Sequence, residues 1–240
     1  MDVELEVDDG LAVITINRPH SRNAIALDTM DALDKALDAA AGAAALVLTG
    51  AGDRAFVSGG DLKELAAIRT VDEAVAMALR MRGICDRIAG FPAPVIAALN
   101  GHALGGGAEV AVAADIRVAA DDVQIGFNQS TLAIMPAWGG AERLAALVGR
   151  GRALMLAGAG TVLGAHQAQR LGLVDKVLTR AAFDEGWRAL ARSLATRPAG
   201  AIKQLLAQEA SAEEAAGAFA QLWVSDEHWE AAERVMNRGR

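Results

Sequence analysis

The amino-acid sequence predicts an α/β layered fold, on three observations. Up to about residue 180, short apolar runs of strand character alternate with amphipathic runs of helical period. Two strand-to-helix junctions are rich in glycine, one spanning Phe56-Val57-Ser58-Gly59-Gly60-Asp61-Leu62 and the other running from Asn100 through Gly105-Gly106-Gly107 to Glu109. Past about Ala181 only helical patterns remain. The expected organisation is a core domain over residues 1–180 and a C-terminal helical region over residues 181–240.

In chain order, Leu11 to Ile16 reads as a buried strand ended by Asn17-Arg18-Pro19. Asp28 is expected to cap a helix with the apolar stripe Ala26, Met30, Leu33 and Leu37. Ala45 to Thr49 is a second strand, and Phe56-Val57 a short third one that enters the first glycine turn. Between these two, Gly50 to Ala55 has the G-x-G-x-x-A form of a dinucleotide fingerprint. The helix which that fingerprint requires is interrupted by Phe56 to Gly60, so a tight turn is expected instead. Thr70 and Glu73 form a capping box for a helix buried through Met77, Met81, Ile84 and Ile88, and Pro92 and Pro94 close it. Val95 to Leu99 is the next strand, followed by the second glycine turn, a helix from about Gly107 to Ala114 and a strand at Ile116 to Ala119. The tail reads as helices over Phe183–Thr196, Ala199–Gln208 and Glu213 to about Asn237. Helices of this kind cannot cover their own apolar faces, so they should pack on the body or on another subunit.

The chain has 240 residues, 53 % of them hydrophobic and 22 % charged, with a net charge of −7. That is a soluble globular composition, and the negative balance disfavours a nucleic-acid backbone as partner. The longest stretch without Asp, Glu, Lys or Arg, Ile88 to Ala108, contains two prolines and a glycine-rich turn, so it does not read as a membrane span. The acidic N-terminus lacks the basic and apolar blocks of a secretion signal, and a cytoplasmic location is expected. Cys85 is the only cysteine and lies on an amphipathic helix, where a buried structural thiol is expected. His20, His102, His166 and His228 show no metal-ligand spacing, and no metal is assigned. His102 and Trp138 read as packing or pocket-wall residues, and His166 as part of a surface helix.

Chemistry is suggested by the glycine turns. Backbone without side chains can aim amide N–H groups into a cleft and hold a developing oxyanion there. Glu109, three residues after Gly106, would share that cleft. A carboxylate beside an anion site suggests enolate chemistry. No phosphate-binding G-x-x-x-x-G-K-[ST] loop and no G-x-S-x-G nucleophile elbow is present.

The segments Ile16-Asn17-Arg18-Pro19 with Asn23-Ala24, Phe56 to Leu65, Asn100 to Asp115, Pro136-Ala137-Trp138-Gly139-Gly140 with Arg143-Leu144, and Ala168 to Val177 occur in this order. In them the chain resembles the crotonase, or enoyl-CoA hydratase/isomerase, family. The resemblance implies a crotonase-like spiral of ββα units, the fold type shared with ClpP, whose C-terminal helical region builds homotrimers or dimers of trimers. It implies a lyase acting on an acyl-CoA thioester, with no cofactor beyond the substrate's own coenzyme A. Gly60 and Gly106 become the donors to the thioester oxygen and Glu109 a catalytic carboxylate. The second glutamate of hydratases falls at Gln129, a carboxamide that cannot exchange a proton near neutral pH. Ala24, Leu62 and Trp138 fall in the substrate and coenzyme A region. His20, Arg22 and Lys63 are candidates for its phosphates, and Asp61, in the same region, is expected to cap the next helix. The Gly-Gly-Gly-Ala-Glu and Pro-Ala-Trp-Gly-Gly stretches also look similar to those of ethylmalonyl-CoA decarboxylase-like relatives. A malonyl-type decarboxylase and a non-catalytic acyl-CoA binder stand as alternatives.

Overall fold

The computed structural model describes residues 1–207 and 211–237. Its elements run β1 (Val3–Asp8), β2 (Leu11–Ile16), α1 (Leu27–Ala39), β3 (Ala45–Gly50), β4 (Ala55–Val57), α2 (Val71–Ala89), β5 (Val95–Leu99), β6 (His102–Leu104), α3 (Gly106–Ala113), β7 (Ile116–Ala120) and β8 (Gln124–Gly126). Then come α4 (Gly140–Val148), α5 (Arg150–Gly158), β9 (Val162–Gly164), α6 (Ala165–Arg170), β10 (Lys176–Leu178), α7 (Phe183–Ala195), α8 (Ala199–Ala207), α9 (Ala212–Trp223) and α10 (Asp226–Asn237).

Two sheets form. The larger has the order β1-β2-β3-β5-β7-β10, the smaller β4-β6-β8-β9. Three times the chain crosses from one to the other: β3 and β4, β5 and β6, and β7 and β8 each place a strand in the large sheet and a short one in the small sheet before a helix follows. This is the repeated ββα unit. Strands β2, β3, β5, β7 and β10 pair in parallel, and β5 is buried at every position, as a sheet covered on both faces requires. Helices lie against it. Helix α7 packs on β2, β3 and β7 through buried Phe183 and Trp187.

Helix α2 begins at the expected capping box of Thr70 and Glu73 and buries Met81, Ile84, Cys85 and Ile88. Burial pushes the Cys85 thiol up to about 12, so at neutral pH it is an inert apolar group. Helix α1 corrects one expectation: its N-cap is Ala26, with no side-chain bond, and Asp28 stands inside the first turn, where its charge favours the helix dipole. The last expected helix is two, because α9 and α10 are separated at Val224-Ser225, where the Ser225 hydroxyl accepts from the His228 N–H at 3.2 Å. Gln208, the expected end of α8, lies outside the described residues. Helices α9 and α10 bury no residue. No helix among the described residues is long and apolar enough to cross a membrane.

Candidate active site

The second glycine turn is built by packing. Gly105, at φ +55°, turns β6 into α3, and its N–H donates to the Gly126 carbonyl at 2.8 Å. All eight residues of α3 are buried. The helix lies so close to β4 that a methyl group on Gly107 would stand 1.8 Å from the Val57 carbonyl oxygen. As the first residue of α3, Gly106 presents an N–H that has no acceptor within the helix.

Hydrogen bonds shape the first turn. Gly59, at φ +106°, follows β4, and Gly60 forms a parallel bridge with Ile25. The Ile25 N–H donates to Gly59 and the Asp61 N–H to Ile25, each at 2.8 Å. In a parallel bridge the flanking groups make these bonds, so the N–H of Gly60 itself faces away from Ile25. A methyl group on Gly59 would lie 3.3 Å from the Gly106 nitrogen. The two turns therefore abut. One difference from the sequence reading is that no α-helix follows the first turn directly; a short 3-10 turn at Leu65–Ala67 intervenes.

Glu109 is 2 % exposed. Its Oε1 accepts from Gln129 Nε2 at 2.9 Å and from the Ala137 N–H at 3.3 Å, and its Oε2 from the N–H groups of Trp138 and Gly140 at 2.8 and 2.9 Å. Gly140 permits this approach, since a methyl group there would stand 2.4 Å from Glu109 Cγ. Burial holds the Glu109 carboxyl above the ordinary glutamate range, and the N–H donors of Gly140, Trp138, Ala137 and Gln129 pull it back only part of the way. The other half of the Gln129 carboxamide, Oε1, is buried without a partner among the described residues. Trp138 is buried as expected, its indole over Gly106 and near Gly60.

The expected coenzyme residues meet elsewhere. His20, Arg22, Ala24, Asp61, Leu62 and Lys63 all border one open cleft of about 740 Å³, which Gly60 also lines. Asp61 is a turn cap: its Oδ1 accepts from the Lys63 and Glu64 N–H groups at 3.2 and 3.4 Å, and its Oδ2 pairs with Arg18 Nη1 at 3.0 Å. Burial raises this carboxyl, but those two amides and the Arg18 guanidinium outweigh it and hold it below the ordinary aspartate range. His102, on β6, accepts from the Gln124 N–H through Nδ1 at 3.1 Å, a structural contact outside this cleft. His166 stands exposed on α6. Among the described residues no group of His, Cys, Asp and Glu could hold a metal ion.

A model of the enoyl-CoA hydratase/isomerase family matches residues 6–224. The chain belongs to this family. It is 35 % identical over 205 residues to the short-chain-enoyl-CoA hydratase of Clostridium acetobutylicum, covering 84 % of this chain and 78 % of that one. It is 38 % identical over 180 residues to the crotonyl-CoA hydratase of Syntrophomonas wolfei, covering 74 % of this chain and 69 % of that one. The fold superposes on the crystal structure of enoyl-CoA hydratase from Bacillus anthracis with a TM-score of 0.89 at 28 % identity, over 99 % of this chain and 97 % of that one. The enzyme from Thermoplasma volcanium gives 0.87 at 33 % identity, over 98 % and 97 %. The architecture is that of the crotonase fold.

Two features escaped the sequence reading. Arg18, 5 % exposed, donates to the Ala24 carbonyl at 2.6 Å and pairs with Asp2, Asp61 and Glu64, so it ties the His20–Ala24 segment to the Asp61 turn. Its place in the Asn-Arg-Pro stretch was visible, but not its pairing with Asp61 and Glu64, which lie 43 and 46 residues away. The Ala137–Gly140 amides on Glu109 were equally hidden; the Gly139-Gly140 pair was their only signal.

Proposed function

We propose that the chain is an acyl-CoA enzyme of the enoyl-CoA hydratase/isomerase type. The amides of Gly60 and Gly106 take up the charge that a thioester oxygen gains as the neighbouring carbon becomes enolate-like. One observation carries this reading: the two glycine turns abut beside a buried carboxylate whose affinity for protons is raised. A carboxyl tuned upward exchanges a proton more readily near neutral pH than an ordinary glutamate does. His20, Arg22 and Lys63, on the open cleft, take the phosphates, and Ala24 and Leu62 border the rest of the coenzyme. Coenzyme A comes with the substrate, and no further cofactor is required. The exposed Phe219, Trp223 and Trp229 on α9 and α10 suit burial against further copies in a homotrimer or a dimer of trimers, which analytical ultracentrifugation tests.

A second reading rests on Gln129. With a carboxamide there and all four contacts of Glu109 filled by N–H donors, hydration lacks its second proton-exchanging group. Decarboxylation of a malonyl-type thioester needs no base. The bond to the carboxylate breaks, carbon dioxide leaves, and the electron pair settles on the thioester oxygen at the two amides until a proton from solvent or Glu109 reaches the α carbon.

The deciding measurement is turnover of a 2-enoyl-CoA, a 3-enoyl-CoA, and methylmalonyl- and ethylmalonyl-CoA by the purified chain and by Glu109→Gln. The first reading expects turnover of an enoyl-CoA that falls by about 10²–10⁴-fold in the variant. Because the base must be ionised, the acid limb of kcat/KM should lie above the ordinary glutamate value of 4.5. Decarboxylation of a malonyl thioester alone selects the second reading. Binding of every thioester without turnover leaves a non-catalytic binder, and undiminished hydration by Glu109→Gln removes the role given to Glu109.

A further inference from the structure

We propose that Gln129 is a positioning residue for Glu109 in both of its protonation states: the carboxamide turns end for end when the carboxyl takes a proton and turns back when the proton leaves. This rests on the acyl-CoA reading, in which Glu109 carries the proton, and supplies the means by which it can do so. An ionised carboxylate offers about four lone-pair positions, two on each oxygen. At Glu109 all are taken, Oε1 by Gln129 Nε2 at 2.9 Å and the Ala137 N–H at 3.3 Å, Oε2 by the Trp138 and Gly140 N–H groups at 2.8 and 2.9 Å. A proton finds no free position until one donor gives way.

Only one of the four donors can give way and still serve the neutral acid. Ala137, Trp138 and Gly140 approach through peptide N–H groups, which cannot accept, and a trans peptide points its carbonyl the opposite way. Gln129 carries donor and acceptor on one planar group. The residue is 6 % exposed and its Oε1 is buried without a partner among the described residues, where a polar atom is nearly always satisfied. Half a turn about Cγ–Cδ, a torsion that is broad and roughly two-fold, exchanges Oε1 with Nε2. The orphaned oxygen then accepts from an O–H on Glu109 Oε1, while the three peptide donors keep their bonds. A carboxamide that exchanges no proton itself thus makes room for one on its neighbour.

Among the described residues no other charge reaches this pair. Burial keeps the Cys85 thiol of α2 protonated. Arg82 and Asp86 of α2 pair with Glu142 and Arg143 of α4, His102 of β6 is engaged with the Gln124 N–H, and Arg150 and Arg152 of α5 are exposed. Strands β4 and β5 carry no titratable group.

The test follows the side-chain amide resonances of Gln129 in the isotope-labelled full chain through an acid titration, beside the infrared carboxyl band that Glu109→Gln removes. That band should show Glu109 taking its proton above the ordinary glutamate value of 4.5. The Gln129 resonances should move with the same midpoint, and the amide proton that the carboxylate holds downfield should lose that shift as the group turns. In Glu109→Gln they should not move with pH. Gln129→Met, which fills the space but neither donates nor accepts, should raise the proton affinity of Glu109 by about five- to tenfold, because the anion loses a stronger bond than the acid does. The acid limb of kcat/KM should rise with it. Gln129 resonances that keep their carboxylate-bonded shift after Glu109 is protonated, or that move equally in Glu109→Gln, overturn the inference, as does an unchanged Glu109 midpoint in Gln129→Met. Where a variant does not fold, the natural chain decides alone. Static resonances in a chain that turns over an enoyl-CoA leave the acyl-CoA reading standing; the expected shifts in a chain that binds no thioester remove that reading and leave the pair.

Discussion

Each glycine turn is followed by a buried carboxylate, and the two are shifted in opposite directions. Asp61, next to Gly60, sits below the ordinary aspartate range, whereas Glu109, three residues after Gly106, sits above the glutamate range. Both accept backbone N–H bonds. What separates them is depth of burial together with a counterion: burial dominates at Glu109, which has only neutral donors, while at Asp61 the turn amides and Arg18, 3.0 Å away, outweigh it. A guanidinium makes a buried carboxylate a permanent anion, suited to holding a turn; dipoles alone leave it able to take a proton. The surroundings differ likewise. The first turn leads to exposed Leu62, Lys63 and Glu64 at the edge of the cleft, the second into a helix without an exposed residue.

The largest effect expected from this contrast is on backbone packing. Gly107→Ala forces a methyl group to within 1.8 Å of the Val57 carbonyl, between two buried elements with no room to part. It should cost about 3 kcal/mol in chemical denaturation. Gly59→Ala meets its nearest neighbour at 3.3 Å and strains a φ of +106°, and should cost about 1–2 kcal/mol. The reverse order would mean that charge, not packing, fixes the better-ordered turn.

The next effect is electrostatic. Arg18→Ala strands Asp61 and Glu64 and should cost about 2 kcal/mol at neutral pH, less than a fully buried pair because Glu64 is half exposed and the cleft admits water. The pH dependence has a definite sign. Asp61 has a lowered value in the folded state, so its contribution is complete above the ordinary 3.8 and is lost as the pH falls through the folded value. Removing Arg18 should flatten that acid loss, read as denaturation midpoints at pH 7 and pH 3. Glu109 works the other way: its contribution is complete below the ordinary 4.5 and is lost as the pH rises through its raised value. An Arg18→Ala chain with unchanged acid sensitivity would show that the Asp61 pair does not stabilise this turn.

How much of this was legible in the sequence divides along the same line. In the large sheet β2, β3 and β5 were readable because each is a largely apolar run, and α2 because its cap and stripe are local, whereas β1 and β10 went unread. Of the small sheet only β4 was readable, as the short run Phe56-Val57; β6, β8 and β9 are three residues each, too short for any period, and β6 lies inside the glycine-rich stretch itself. Within the site, Gly60, Gly106 and Glu109 could be named from spacing. The Ala137–Gly140 amides that surround Glu109, and the Arg18 that holds Asp61, depend on contacts across roughly thirty to forty-five residues that no local pattern encodes.

The smallest effect tests whether the first turn launches a helix at all. Between Gly60 and α2 the chain makes only a 3-10 turn, and α2 starts at Thr70, whose hydroxyl accepts from the Glu73 N–H at 3.3 Å while the Glu73 carboxylate accepts from the Thr70 N–H at 3.2 Å. Both residues are exposed, so the box governs the helix end and nothing deeper. Thr70→Ala should lower Tm by about 2–4 °C and leave coenzyme A affinity unchanged. If α2 were instead set by the glycine turn, as α3 is, loss of the cap would leave Tm where it was. A fall in coenzyme A affinity together with Tm would mean that the helix start and the Asp61 turn form one cooperative unit, so that the two glycine turns differ in burial but not in how they are coupled to the helices behind them.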